Sequence, residues 1–194
     1  QEENFGDDVM NSGPRVLPGT YLVHLEAGNS VLEGEFSVHL DPRVTISQTV
    51  LLARHDAMIS SYRLSGVVSE ANSALGELEA QLEDALSLLG EVSPENEDLK
   101  AEIERLLGEV DQIGNDLGEG GRGANLVGQI EGVTGAPTAD QLLQIEESWD
   151  EIPAFIDRLN ILITAEVPAL YARLDDAGIR PDPGSAIEMP RRRR

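Results

Sequence analysis

The chain reads as mainly α with a small β part: an elongated antiparallel three- or four-helix bundle preceded by a β-hairpin that could be part of a sandwich. Three observations predict this. From Ser47 onward apolar residues recur at steps of three and four, the period of a helix buried on one side. Only residues 18–43 carry the period-two alternation of strands. Aromatic residues make up 4% of the chain against 40% hydrophobic overall, so the core must be built from Leu, Ile, Val and Ala. That composition suits packed helices better than a large sandwich.

Residues 1–17 are polar with interspersed glycine and predict an extended arm or linker. Residues 18–43, PGTYLVHLEAGNSVLEGEFSVHLDPR, predict the hairpin. Its strands are expected at about Thr20 to Glu26 and Glu35 to Leu40, with AGNS supplying turn residues. A register that pairs Leu25 with Phe36 places Tyr21, Val23, Leu25, Phe36, Val38 and Leu40 on one apolar face. A lone two-stranded ribbon is marginal in water, so that face needs a cover.

The bundle is expected over residues 44–180, with helices at about 47–89, 95–117 and 138–177. In the first, Leu51, Met58, Tyr62, Val68, Leu75, Leu78, Leu82 and Leu89 mark the apolar stripe, with Gly66 a weak point. Ser93, Pro94 and Glu95 form a start signal for the second. There Leu99, Ile103, Leu106, Val110, Ile113 and Leu117 alternate steps of four and three, a strict a/d seam able to bind a partner helix. GEGGRG at 118–123 ends that helix and predicts a flexible turn, with one short helix around 124–131. Thr138 and Gln141 have the spacing of a capping box for the last helix. Its stripe is Leu142, Ile145, Trp149, Ile152, Ile156, Leu159, Ile163, Leu170 and Leu174. Pro153 and Pro168 should kink or split it, and Gly178 is the expected residue past its end. Residues 181–194 predict an extended tail ending in Arg191, Arg192, Arg193 and Arg194.

The formal net charge is −22, from 36 acidic and 14 basic residues. Such a surface repels nucleic acid and anionic lipid over most of its area, so nucleic-acid binding is not expected. Lys100 is the single lysine among the basic residues. An acidic, lysine-poor surface fits a saline exterior, and a GC-rich genome gives the same arginine preference; both stay open. The chain has no cysteine, which removes disulfides, thiolate catalysis and cysteine metal sites together. No apolar run approaches the roughly 20 residues that span a bilayer. The opening QEENFGDDVMNSG lacks a basic region and an apolar core, so it predicts a processed product or a segment of a longer chain rather than a signal peptide.

Chemistry-bearing patterns are sparse. The pairs Asp7/Asp8, Glu146/Glu147, Asp150/Glu151 and Asp175/Asp176 fit solvated helix faces better than two carboxylates held across a cleft. His24 and His39 fall on the polar side of the ribbon, diagonal in the proposed register, with no third ligand in sight. His55 sits near the helical seam and reads as structural. GEGGRG lacks the strand and the lysine of a phosphate loop, and DDAGIRPDPG lacks the spacing of a calcium loop. No catalytic residue, metal site or cofactor is expected.

The stretch GPRVLPGTYLVHLEAGNSVLEGEFSVHLDPRV resembles the C-terminal region of large bacterial exported proteins of the sortilin-like, BNR-repeat β-propeller type, often called glycosyl-hydrolase-like. Pro18, Gly19, Tyr21, Val23, Leu25, Gly28, Phe36, Val38, Asp41, Pro42 and Arg43 occupy the pattern positions. Gly135, Ala136, Pro137, Thr138 and Gln141 match a later stretch. The resemblance implies that residues 18–43 end an Ig-like sandwich, that a helical segment closes the chain, and that the location is extracytoplasmic. The propeller repeats, where glycosidase-like activity would sit, are not among these 194 residues. The expectation is therefore a non-enzymatic structural or interaction module whose partner is protein, either another copy or the missing upstream domains. The alternative is an accessory fragment of a propeller enzyme whose active site lies outside this chain. The arginine end is either an electrostatic tether to an acidic surface or a tail without a role.

Overall fold

A computed structural model of the chain describes residues 13–28, 30–89 and 96–176. It is mainly helical, with one two-stranded antiparallel ribbon. Strands β1 (Gly19–Ala27) and β2 (Ser30–Val38) precede the long helix α1 (Gln48–Leu89). Helix α2 (Glu97–Gly120) leads through a 3-10 turn, Gly121–Asn125, into the short α3 (Val127–Glu131). Helix α4 (Ala139–Ile161), a π turn at Leu162–Glu166 and α5 (Val167–Asp176) complete the described residues.

The three long helical segments run up, down and up. Ser61 of α1 meets Leu126 and Val68 meets Gly121, so α1 and α2 are antiparallel. Arg158 reaches Asp116 while Arg105 reaches Glu166, so α4–α5 runs against α2 as well. At about 1.5 Å per residue the 42 residues of α1 reach some 63 Å, which makes the bundle elongated.

One contiguous core fills the space between the helices, with Leu, Ile, Val and Ala supplying most of it. All six seam residues of α2, Leu99, Ile103, Leu106, Val110, Ile113 and Leu117, are buried in it. The stripe of α1 differs from the one its large residues suggest. Tyr62 is exposed and Val68 only partly buried, whereas Ser61, Leu64, Val67, Ala71 and Ala85 face inward. Small side chains occupy several seam positions, where they let neighbouring helices come close. On α4, Leu142 is exposed and the stripe begins at Ile145.

The helix ends follow local chemistry in part. The Thr138 backbone donates to Gln141 Oε1 at 2.9 Å and the Gln141 backbone donates to Thr138 Oγ1 at 3.2 Å, which completes the capping box. At α1 the Val50 amide donates to Ser47 Oγ at 3.3 Å. Asn96 precedes α2 without a side-chain cap bond, and the start signal at Ser93, Pro94 and Glu95 lies outside the described residues, as does Gly178. Of the two prolines expected to kink or split the last helix, Pro153 does not interrupt it, whereas the α-helix gives way to a π turn just ahead of Pro168. There the Val167 amide donates five residues back to Leu162, which opens the turn where a proline cannot donate.

GEGGRG is not a loose connection. Helix α2 continues through Gly118, Glu119 and Gly120, and the 3-10 turn then presses against α4. A Cβ on Gly123 would lie 2.6 Å from Ile145 Cα and closer still to the Gln144 carbonyl oxygen, so only glycine fits there. Two buried serines satisfy this segment's backbone. Ser148 accepts from the Gly123 amide at 2.9 Å and donates to the Gly120 carbonyl at 2.5 Å, and Ser61 accepts from the Leu126 amide at 3.1 Å.

Candidate interaction surface

The two strands are longer than their alternation suggests, and their register differs. Tyr21 lies opposite Phe36, Val23 opposite Gly34 and Leu25 opposite Leu32, so Leu25 does not pair with Phe36. Gly34 interrupts the apolar alternation of β2 and hid its first half, including Leu32, from the sequence pattern. Ala27 pairs with Ser30 across a two-residue loop, and Gly28 takes the positive φ of 61° that such a loop requires. Leu40 lies beyond the end of β2.

Directly opposed residues share a face of an antiparallel pair. One face therefore carries Gly19, Tyr21, Val23, Leu25 and Ala27 from β1 with Ser30, Leu32, Gly34, Phe36 and Val38 from β2. It holds no charged residue. The other holds His24, Glu26, Glu33 and Glu35, beside the exposed apolar Leu22 and Val31. On the uncharged face the Tyr21 and Phe36 rings stack with centroids 5.6 Å apart, and Tyr21 Oη donates to the Leu17 carbonyl at 2.6 Å. This organises the half of the ribbon nearer the bundle. Farther out nothing covers the face among the described residues: Val23 is 45% exposed, Leu25 56% and Leu32 64%.

His24 does not meet His39. Its cross-strand neighbour is Glu33, with Nδ1 and Oε1 3.3 Å apart, both well exposed. No group of three or more metal-ligating side chains occurs among the described residues. Nor is any described helix long and apolar enough to cross a membrane. The tail Arg191, Arg192, Arg193 and Arg194 lies outside the described residues. The α2 seam is spent on this chain's own core and offers no free surface to a partner helix.

Charged side chains pair across the bundle instead of gathering in a cleft. Arg105 bridges Glu102 on its own helix, at 3.0 Å, and Glu166 on the π turn. Arg158 bridges Glu109 at 2.9 Å and Asp116 at 2.6 Å. The Arg105 hydrogen bond holds the Glu102 carboxyl below its ordinary range, and Arg158, aided by Gln112, does the same to Asp116. These pairs tie α2 to the last helix from the outside. Compared with protein-family models, curated proteins and solved structures, the chain finds no match.

Proposed function

We propose that this chain is a non-catalytic interaction module of an exported, extracytoplasmic protein, in which a rigid acidic helical bundle presents an unfinished sheet to a β-rich partner. The observation that carries this is the uncharged ribbon face, whose outer side chains stay exposed although the bundle has buried every residue of its own α2 seam. An isolated hairpin gains little stability on its own, so a covered face is the state in which it is most firmly held.

Area favours a tethered partner over a second free copy. Two nine-residue strands present a face of roughly 30 by 10 Å, about 300 Å². Stable free-standing partners bury about 800 Å² each. A covalent link raises the local concentration of the partner to about the millimolar range and removes that requirement. Upstream β domains of the same polypeptide, such as those of the propeller parent that the sequence resembles, would meet this condition.

The test is sedimentation of the isolated chain at 1–100 µM, followed by cross-linking in whatever longer polypeptide its source contains. Monomer behaviour, with cross-links from the ribbon face to upstream strands, is the expected result. A dimer abolished by Phe36→Asp would make the partner a second copy. A native chain with nothing covalently upstream and no self-association would remove the proposal.

A further inference from the structure

At the junction of ribbon and bundle lies a second feature, which shares only Val38 with the uncharged ribbon face. Residues 15–18, the end of β2 with the residues after it, the start of α1 and the 131–134 loop enclose a groove of about 520 Å³. Leu17, Val38, Leu40, Val44, Leu51 and Met58 make it predominantly apolar, and its size is that of a small-molecule site.

The lining of the groove sets Arg15, Arg54, His39 and His55 beside two acids, Asp41 and Glu131. Its acids are already engaged: Glu131 accepts from the Arg15 amide at 3.1 Å, and Asp41, which shares the rim, is held by Arg43 at 2.6 Å. Arg54 has no such partner among the described residues, where only its Nη2 donates to protein acceptors, the carbonyls of Ile130 and Glu131 at 3.2 and 3.4 Å. Its Nε is buried without an acceptor, as is Nδ1 of the adjacent His55, for which Asp56 Oδ1 at 3.6 Å is beyond hydrogen-bonding reach. His39 completes the polar lining. A guanidinium whose buried Nε finds no acceptor among the described residues is chemically incomplete, and an anion is the group that completes it.

We propose that this groove binds a small aliphatic carboxylate, the apolar chain lying along Leu40, Val44 and Leu51 and the carboxylate facing Arg54 and His55. Arg54 supplies the charge and His55 a second donor. The apolar wall discriminates against short anions, and the unpaired guanidinium discriminates against neutral amphiphiles.

Calorimetric titration of the full 194-residue chain with octanoate, 1-octanol and acetate tests this. Octanoate is expected to bind saturably at one site. A charge-assisted contact predicts that 1-octanol binds at least about tenfold more weakly, and that Arg54→Gln weakens octanoate by a similar factor. Leu40→Asn, at an exposed position that no core packing depends on, should weaken octanoate as well, and acetate should give no saturable heat. The proposal is overturned if octanoate shows no saturable binding. It is equally overturned if 1-octanol matches octanoate, or if folded Arg54→Gln or Leu40→Asn protein binds octanoate within twofold of the parent chain.

Discussion

Substituting Gly123 by alanine tests the claim that the glycine-rich stretch is a packed joint. The added Cβ would sit 2.6 Å from Ile145 Cα and 2.8 Å from the Gln144 carbonyl carbon, and both are backbone atoms that no rotamer change can move. The 3-10 turn must therefore back away from α4. Overpacking of this kind costs about 1–3 kcal/mol. Withdrawal also pulls the Gly123 amide from Ser148 Oγ and strains the bond from Ser148 to the Gly120 carbonyl, and a buried group left unsatisfied costs about 1–3 kcal/mol more. The expected loss is about 2–6 kcal/mol, against a total stability of roughly 5–15 kcal/mol for a domain. In a chain of this size that lowers Tm by roughly 4–24 °C. Gly66→Ala is the control. Gly66 lies exposed inside α1 with nothing within 4 Å of an added Cβ, so helix propensity alone predicts a gain of about 0.5–1 kcal/mol. Urea unfolding followed by helical circular dichroism reads both variants. If Gly123→Ala stays within about 0.5 kcal/mol of the parent, the close approach of the turn to α4 is wrong.

Three further outcomes follow from the same contacts. Ser61→Ala strands the buried Leu126 amide and should cost about 1–3 kcal/mol, whereas Ser65→Ala, whose hydroxyl bonds the carbonyl of Tyr62 on the helix surface, should cost under about 0.5 kcal/mol; denaturant midpoints separate them. Arg158→Gln should cost about 1 kcal/mol or less at neutral pH, because the pair is partly exposed. Asp116 has its folded pKa depressed, so the contribution is complete above the unfolded value near 4 and is lost as pH falls through the lower folded value. The gap between Arg158→Gln and the parent should therefore close below about pH 4, and a gap independent of pH would contradict the pairing. Finally, hydrogen exchange should find β1 and β2 amides opening at least about a thousandfold more readily than α2 amides, since the uncovered ribbon has little stability of its own. Protection equal to that of α2 would mean the ribbon is held by contacts other than those described.

The helices were legible where one local rule decides the outcome. The α2 seam keeps its a/d spacing from Leu99 to Leu117 without exception, and Thr138 with Gln141 form a cap that needs only four residues. Legibility failed where a small residue carries the contact. Ser61 and Ala71 face the core while the larger Tyr62 does not, because α1 must leave room for its neighbours, and that requirement belongs to the partner helices. Gly120 and Gly123 look like a flexible turn in isolation; their role depends on Gln144, Ser148 and Phe155, which lie more than 20 positions away. The ribbon register slipped for a related reason. Gly34 leaves a gap in the period-two signal, and the true strand extends past it to Ser30. Arg54 was missed altogether, since nothing in a sequence shows that an arginine lacks a carboxylate.

Among the described residues the uncovered ribbon face and the groove beneath it lie at the same end of the molecule. The bundle closes on itself: its long seams are buried, its joint is cross-bonded by Ser61 and Ser148, and its outer arginines Arg105 and Arg158 already hold two acids each. The rest of its surface is acidic enough to repel anionic macromolecules. Among the described residues the ribbon lacks a covering layer, and the groove beneath it holds an arginine without a counter-charge. These two deficits differ in kind. The ribbon face is uncharged and too small to hold a free partner, so it calls for a tethered sheet, whereas the groove is concave and lined by Arg54, whose Nε lacks an acceptor among the described residues, so it calls for a small anion. A single partner domain docking on both would have to bring an acidic apolar segment to the groove. Octanoate affinity that survives when the ribbon face is covered would separate the two sites.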